Sequence, residues 1–441
     1  MKKIAWLVAA PFVSTSLFAA DLMQTYREAL DNDPTYAAAS ATLSAAQEKL
    51  PQGRAGLLPN INLSANTTWN DTELSSHNGP TISKPKYNAN AYQLTLSQPL
   101  FRWQNWISYD QAGLQVAQAE ANFAQARQDL ILRVSQAYFD VLYAAESLTA
   151  VQANKAAIAQ QLELAKKSFE VGTATITDTH EAQARYDLAS AQEIAAESDL
   201  EVKKRTLQAI LGKEPGLLAQ LRNSAELNRP QPDNMQDWVS AAEKDSLAVQ
   251  AQQAAANIAD REVEKQKAGH YPTVDLVANA GYSKSYTPTF GTYDTNFQNV
   301  GIQLNVPIFT GGQTSSRQRE ASANRSAALS GVEAAKRAAA LGARQYYLGV
   351  ANGLAQIKAL KAALVSSQSA LESNKLGYEV GVRINIDVLN AENQVYVTRR
   401  DLAKATFDTL MAQLRLKAAT GTLDEQELTR VNALLDQTTQ K

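Results

Sequence analysis

The sequence predicts a mainly α-helical protein with a β-barrel part, in which long helices pair as coiled coils and short strands close into a barrel shared by several chains. Three observations lead there. Apolar residues step by four and three over stretches far longer than a globular helix, runs of period two flank polar loops, and the landmarks of one half recur in order roughly 210 residues later.

At the N-terminus, Lys2 and Lys3 precede an apolar run from Ile4 to Val13, and Leu17-Phe18-Ala19-Ala20 leads into polar Asp21. This reads as a signal peptide over residues 1–20, because the run is too short, and too broken by Pro11, to span a bilayer. Cleavage after Ala20 leaves bulky Phe18 where a small residue is preferred, so cleavage after Ala19 stays open. The rest of the 441 residues, 45% hydrophobic and 20% charged overall, has globular composition. A net charge of -2 provides no basic field for nucleic acid. With no cysteine there are no disulfides and no acylated N-terminal anchor. Beyond the leader no stretch of about twenty apolar residues occurs, so any membrane insertion must use strands.

Strands come next along the chain. Ile61, Leu63, Ala65, Thr67 and Trp69 alternate with polar residues, as do Tyr92, Leu94 and Leu96, predicting strands near 60–70 and 89–99. In the second half Val274, Leu276, Ala278, Ala280 and Tyr282, then Val300, Ile302, Leu304 and Val306, predict strands near 273–282 and 297–307. The intervening segments, about 71–86 and 283–295, are rich in Ser, Thr, Asn, Gly and Pro and read as solvated loops.

The helices are longer. Leu130, Val134, Ala137, Val141, Ala144, Leu148, Val151, Ile158, Leu162, Ala165 and Phe169 form a coiled-coil seam that Lys155 interrupts once. A helix from about 105 to 172 would be about 100 Å long at 1.5 Å per residue, more than an ordinary domain holds. Ala182, Tyr186, Ala189, Ala196, Leu200, Leu207 and Ile210 continue the stepping up to Gly212, and Ala391, Val395, Leu402, Ala405, Ala412 and Leu416 repeat it before Gly421.

The duplication orders these elements. Ser97-Gln98-Pro99-Leu100-Phe101 answers to Asn305-Val306-Pro307-Ile308-Phe309, and Phe169-Glu170-Val171-Gly172 to Tyr378-Glu379-Val380-Gly381. Each Val-Gly turn is followed six residues on by an aspartate, Asp178 or Asp387. The expected organisation is a first repeat over 21–220, a linker over 221–240, a second repeat over 241–425 and a C-terminal segment over 426–441. If the strands lie in lipid they cannot leave unpaired edges, and four per chain fall short of the smallest barrels, of about eight. Three chains would supply twelve. Trp69, Tyr92, Trp103 and Trp106 suit an interfacial girdle or, equally, core packing.

Ala137-Tyr138-Phe139-Asp140-Val141-Leu142, the Val171-Gly172 and Val380-Gly381 turns, Asn305-Val306-Pro307-Ile308-Phe309 with Gly311-Gly312, and Thr420-Gly421-Thr422-Leu423 resemble the TolC family of outer-membrane efflux and secretion proteins. The likeness runs from Asp33-Pro34 to Leu423. It implies a homotrimer in the outer membrane with one twelve-stranded transmembrane β-barrel, a periplasmic helical tunnel, and an equatorial belt from the Pro-rich join and the C-terminal segment. The implied partners are outer-membrane lipid, a periplasmic adaptor (membrane fusion) protein and an inner-membrane transporter of ABC, RND or MFS type. No cofactor is implied. The matching helix tips would form a periplasmic gate latched by Thr177, Asp178, Tyr378 and Arg383, with an Asp387 ring at the constriction and adaptor contacts at Gly172 and Gly381. The family's second acidic ring is replaced here by Asn390, which predicts weaker blockade by cations. From the residues alone, Gly172 and Gly381 also read as helix C-caps, Asp178 and Asp387 as N-caps, and Asp178 with Glu181 as a capping box.

No enzyme is legible. His77, His180 and His270 are dispersed, and no Walker loop or metal-ligand spacing is present. An exit duct leads, ahead of a porin, which needs more strands per chain, and of a periplasmic coiled-coil scaffold.

Overall fold

The computed structural model describes residues 19–75, 81–83, 85–222, 226–287 and 290–436. The signal-peptide expectation falls almost wholly on residues 1–18, outside the described residues. In chain order the elements are α1 (Leu22–Asn32), α2 (Pro34–Gln47), α3 (Lys49–Ala55), β1 (Asn60–Asp71), β2 (Leu74–Ser75), β3 (Thr81–Ser83), β4 (Lys86–Phe101), α4 (Trp103–Glu170), α5 (Ile176–Leu211) and β5 (Gln220–Leu221). They continue with α6 (Met235–Asp245), α7 (Leu247–Lys267), β6 (Thr273–Thr287), β7 (Gly291–Asn305), α8 (Gln313–Glu379), α9 (Asn385–Ala419), α10 (Glu425–Asn432) and β8 (Leu435–Asp436). These form two compact units, one of residues 40–123 and 247–336, the other of the remaining three stretches.

The first unit carries one antiparallel sheet in the order β1-β4-β6-β7. Its register makes alternate rows of opposite character. Ile61, Leu96, Ala278 and Val300 align across the four strands on one face, and Asn62, Thr95, Asn279 and Asn299 align on the other. The polar row is hydrogen-bonded: Gln93 and Thr95 donate to Asn279 Oδ1 at 2.8 and 2.9 Å, and Asn279 donates to Asn299 at 2.9 Å. The apolar face is bare, with Val300 76% and Ile302 71% exposed.

All four strands exist, but β6 and β7 are longer than the apolar alternation shows. β6 runs on to Thr287 and β7 starts at Gly291, whose φ of 70° suits the turn, so most of the expected 283–295 loop is ladder. A hairpin end in water keeps its backbone pairing without apolar side chains. Part of the 71–86 loop likewise pairs, as β2 with β3. β7 stops at Asn305 rather than 307, because Pro307 has no N–H to donate.

The second unit is helical. Leu22, Tyr26 and Ala29 of α1 join Leu130, Ile131, Val134, Tyr138 and Phe139 of α4, Leu207 and Leu211 of α5, Phe407, Leu410 and Leu414 of α9, and Leu428 of α10 in one core. Each fully buried Leu, Ile or Phe contributes about 1.5–3 kcal/mol. Phe139 stacks on Phe407 with centroids 5.7 Å apart. The Tyr138 hydroxyl donates to the Ala219 carbonyl at 2.8 Å and lies 3.1 Å from that of Ala20. β5 pairs with β8, tying the 220 region to the C-terminal segment.

Asp33 joins α1 to α2. Its N–H donates to Ala29 at the end of α1, while its carboxylate accepts the Tyr36 N–H at 2.7 Å and caps α2. Pro34 sits next, at the first helical position, where a missing N–H costs nothing. Arg133 grips both carboxylate oxygens at 2.9 Å and holds the buried Asp33 carboxyl below its usual range.

The seam of α4 is buried as its spacing predicts from Leu130 to Ala165, apart from half-buried Leu148. Phe169 departs: in the last turn of α4 it is 44% exposed.

Candidate functional site

The two hairpin tips repeat one backbone solution. At the end of α4 the Gly172 N–H donates to Phe169 O at 3.0 Å and the Thr173 N–H to Ser168 O at 2.8 Å. At the end of α8 the Gly381 N–H donates to Tyr378 O at 3.1 Å and the Val382 N–H to Gly377 O at 2.8 Å. Both glycines have positive φ, 76° and 74°, so both turns are Schellman caps that need glycine.

The returning helices start differently. Thr175 is the N-cap of α5: its Oγ1 accepts the Asp178 N–H at 3.3 Å, and Asp178 Oδ2 accepts the Thr175 N–H at 2.9 Å and hydroxyl at 2.8 Å. The capping box is therefore Thr175 with Asp178, not Asp178 with Glu181, because Asp178 occupies the third helical position rather than the cap. Asp387 is likewise the third residue of α9, whose cap is Ile384 and has no side-chain acceptor.

Arg383 folds back over the last turn of α8, where a Cβ on Gly377 would sit 2.7 Å from its Cγ. Its guanidinium stands 3.7 Å from the Asp387 carboxylate across one turn. Thr177 is exposed on the first turn of α5, and Tyr378 is half-buried in the last turn of α8. Among the described residues of one chain, no hydrogen bond or ion pair joins Asp178 to Tyr378 or Arg383, so the structure groups Arg383 with Asp387 and leaves Asp178 on its cap. Asn390 accepts from Arg185 of α5 at 2.9 Å, which links the two hairpins. Arg383, Asp387 and Asn390 line one polar groove of about 350 Å³ with Asn374 and Gln394.

Two ion pairs were not singled out from the sequence. Lys155 of α4 meets Glu193 of α5 at 2.6 Å and lies over the Tyr186 ring, 5.6 Å from its centroid. The hydrogen bond between them raises the Lys155 pKa and lowers that of Glu193. Lys375 of α8 meets Glu392 of α9 at 3.0 Å. Each pair bridges the two helices of its own hairpin, and opposite charges on either side of the Val-Gly turn were the available signal.

A family model described as outer membrane efflux protein matches the chain twice, over residues 25–213 and 238–422. The chain belongs to the outer membrane efflux protein family. It is similar to the outer membrane protein TolC of Vibrio cholerae, at 32% identity over 440 residues and 98% of each chain. It is also 31% identical over 438 residues to the alkaline protease secretion protein AprF of Pseudomonas aeruginosa, covering 98% of this chain and 91% of that one. In fold it resembles the Campylobacter jejuni CmeC outer membrane channel, with a TM-score of 0.80 at 16% identity over 99% of this chain and 98% of that one. The long helical hairpins and the four-stranded sheet are thus the tunnel and β part of an outer-membrane exit duct for efflux and secretion. The family is one of transport proteins rather than a class of enzymes.

Proposed function

We propose that three copies of this chain form one outer-membrane duct, shut at its periplasmic tips and opened when a periplasmic adaptor and an inner-membrane transporter dock there. The observation that carries the trimer is the sheet. Its outward face is apolar, while the free edges of β1 and β7 have no partner among the described residues. In hydrocarbon each unpaired backbone group costs several kcal/mol, so the edges must be met by further copies. Three four-stranded sheets supply twelve strands, enough for a closed barrel with lipid around it.

The tips supply the gate. On this reading Arg383 and Tyr378 reach Asp178 and Thr177 of the first-hairpin tip across copies, because within one chain the two sets are not joined. Arg383 is exposed and its contact with Asp387 is long, which leaves guanidinium donors for a charge-assisted bond elsewhere. The turns at Gly172 and Gly381 present the outermost backbone of the hairpins and are the contact points for the adaptor.

Three Asp387 side chains around the axis would repel, by about 4 kcal/mol per pair at ~4 Å and an intermediate dielectric. Divalent cations relieve that. Asn390, neutral and bonded to Arg185, adds no second acidic ring. Planar-bilayer conductance tests the whole reading. The combined Tyr378→Phe and Arg383→Ser variant should conduct severalfold more than wild type, and Asp387→Asn should lose the remaining block by millimolar divalent cations. Unchanged conductance in the first variant returns Tyr378 and Arg383 to a structural role, and undiminished cation block in the second removes Asp387 from the pore.

A further inference from the structure

The buried stripe of α9 nearest its tip is Asn385, Val388, Leu389 and Glu392, spaced at helical intervals of three and four. Leu389 packs with Ile158, Leu162 and Ala165 of α4 and with Ala182 and Ala189 of α5, so this stripe faces the first hairpin. An apolar residue at every stripe position would make the most cohesive seam. Instead the seam holds a carboxylate whose side chain is 4% exposed, gripped by one ammonium, Lys375, at 3.0 Å. Glu392 Oε2 has no partner among the described residues, nor does either amide atom of Asn385, nor Gln161 Oε1 on the facing stripe of α4. Buried polar groups left without partners destabilise the packed arrangement that buries them, and a buried ion pair is often no better than apolar side chains of the same volume.

We propose that the Lys375–Glu392 pair is a gating determinant that keeps the seam between the two hairpins weak. With the hairpins together, Lys375 alone compensates the Glu392 carboxylate. When they part, both carboxylate oxygens and the Asn385 amide gain water. The pair thus narrows the free-energy gap between closed and open tips, from a position outside the latch residues. This rests on the reading of the tips as the gate.

Because the two partners contribute with opposite sign, single and double variants separate the idea from a plain loss of stability. Lys375→Met leaves the buried carboxylate uncompensated and should raise single-channel conductance in planar bilayers severalfold. Lys375→Met combined with Glu392→Leu makes the seam apolar; it should conduct no more than wild type and should suppress the opening caused by Tyr378→Phe with Arg383→Ser. Amide hydrogen exchange over residues 385–392 gives the same ordering without bilayer insertion, faster than wild type in the single variant and slower in the double. Wild-type conductance in both variants with lowered melting temperatures, or equal increases in both, would overturn the proposal while leaving the duct intact, provided the latch variant opens. Absence of current from every protein, the latch variant included, overturns the duct reading and this proposal with it.

Discussion

Replacing Asp33 by Asn tests the joint between α1 and α2 with a defined magnitude and a defined pH signature. The wild-type carboxylate is almost wholly buried, accepts the Tyr36 N–H and takes two hydrogen bonds from Arg133. Removing one partner of a fully buried pair costs about 3–5 kcal/mol, whereas an exposed pair is worth about 0.2–1 kcal/mol. Arg133 is 38% exposed and stays hydrated when its partner is neutralised, so the loss should fall between these, at about 1.5–3 kcal/mol. Asn keeps the capping acceptor, so the helix start is preserved. At about 2–4 °C per kcal/mol, far-UV circular dichroism of detergent-solubilised protein should show a melting temperature lower by about 3–12 °C at neutral pH. Arg133 depresses the native carboxyl relative to the unfolded chain, so the folded wild type binds fewer protons. Its advantage over Asp33→Asn is complete above the unfolded value of about 4 and disappears as pH falls through the lower native value. No gap at pH 7, or one that persists unchanged in strong acid, would refute the assignment of the stability to this pair.

Tyr138→Phe removes the hydroxyl bonded to the Ala219 carbonyl and should cost about 1–2 kcal/mol, read as a lowered urea midpoint with unchanged slope. Thr175→Ala breaks the α5 capping box and should speed amide exchange in its first turn about fivefold, corresponding to about 1 kcal/mol. Ile384→Thr places a hydroxyl three residues before Asp387, recreates that box on α9 and should slow exchange there by a similar factor. Gly281→Val drives a Cβ to 2.6 Å from the Tyr92 carbonyl on the paired strand, and should lower the yield of folded protein recovered from the outer-membrane fraction.

The long elements were legible because a repeated physical pattern marks them. The stepped apolar spacing from Leu130 to Ala165 defines one face of α4, and few alternative folds bury so long a stripe. The alternation in β1 was equally plain, since its apolar side chains fall on one face of the sheet and its polar ones on the other. The polar ends of β6 and β7 escaped because backbone pairing holds them where side chains carry no contrast. At the tips, residue types at the right spacing were visible, but not which member of each motif takes the cap: Thr175-x-x-Asp178 is a capping box, and its neighbour Glu181 is one turn too far. The Arg185–Asn390 contact was out of reach altogether, since it depends on how the two hairpins lie against each other and no spacing within either encodes it.

The duplicated halves are equal in their turns and unequal in the helices that return from them. Both Val-Gly turns close the preceding helix by the same two backbone bonds, so neither C-terminal end is the weak point. The start of α5 is locked by a reciprocal box, while α9 starts from Ile384 with no side-chain cap and an aspartate that, among the described residues, is held by a long contact to Arg383. A missing cap is worth about 1 kcal/mol, and a loose exposed ion pair returns less than that. Add the polar stripe of Asn385 and Glu392, and the second hairpin is both easier to fray at its start and easier to lift from its neighbour than the first. On the proposed gating of the tips, an asymmetry of this kind between two otherwise matched repeats is what one fixed and one moving hairpin require.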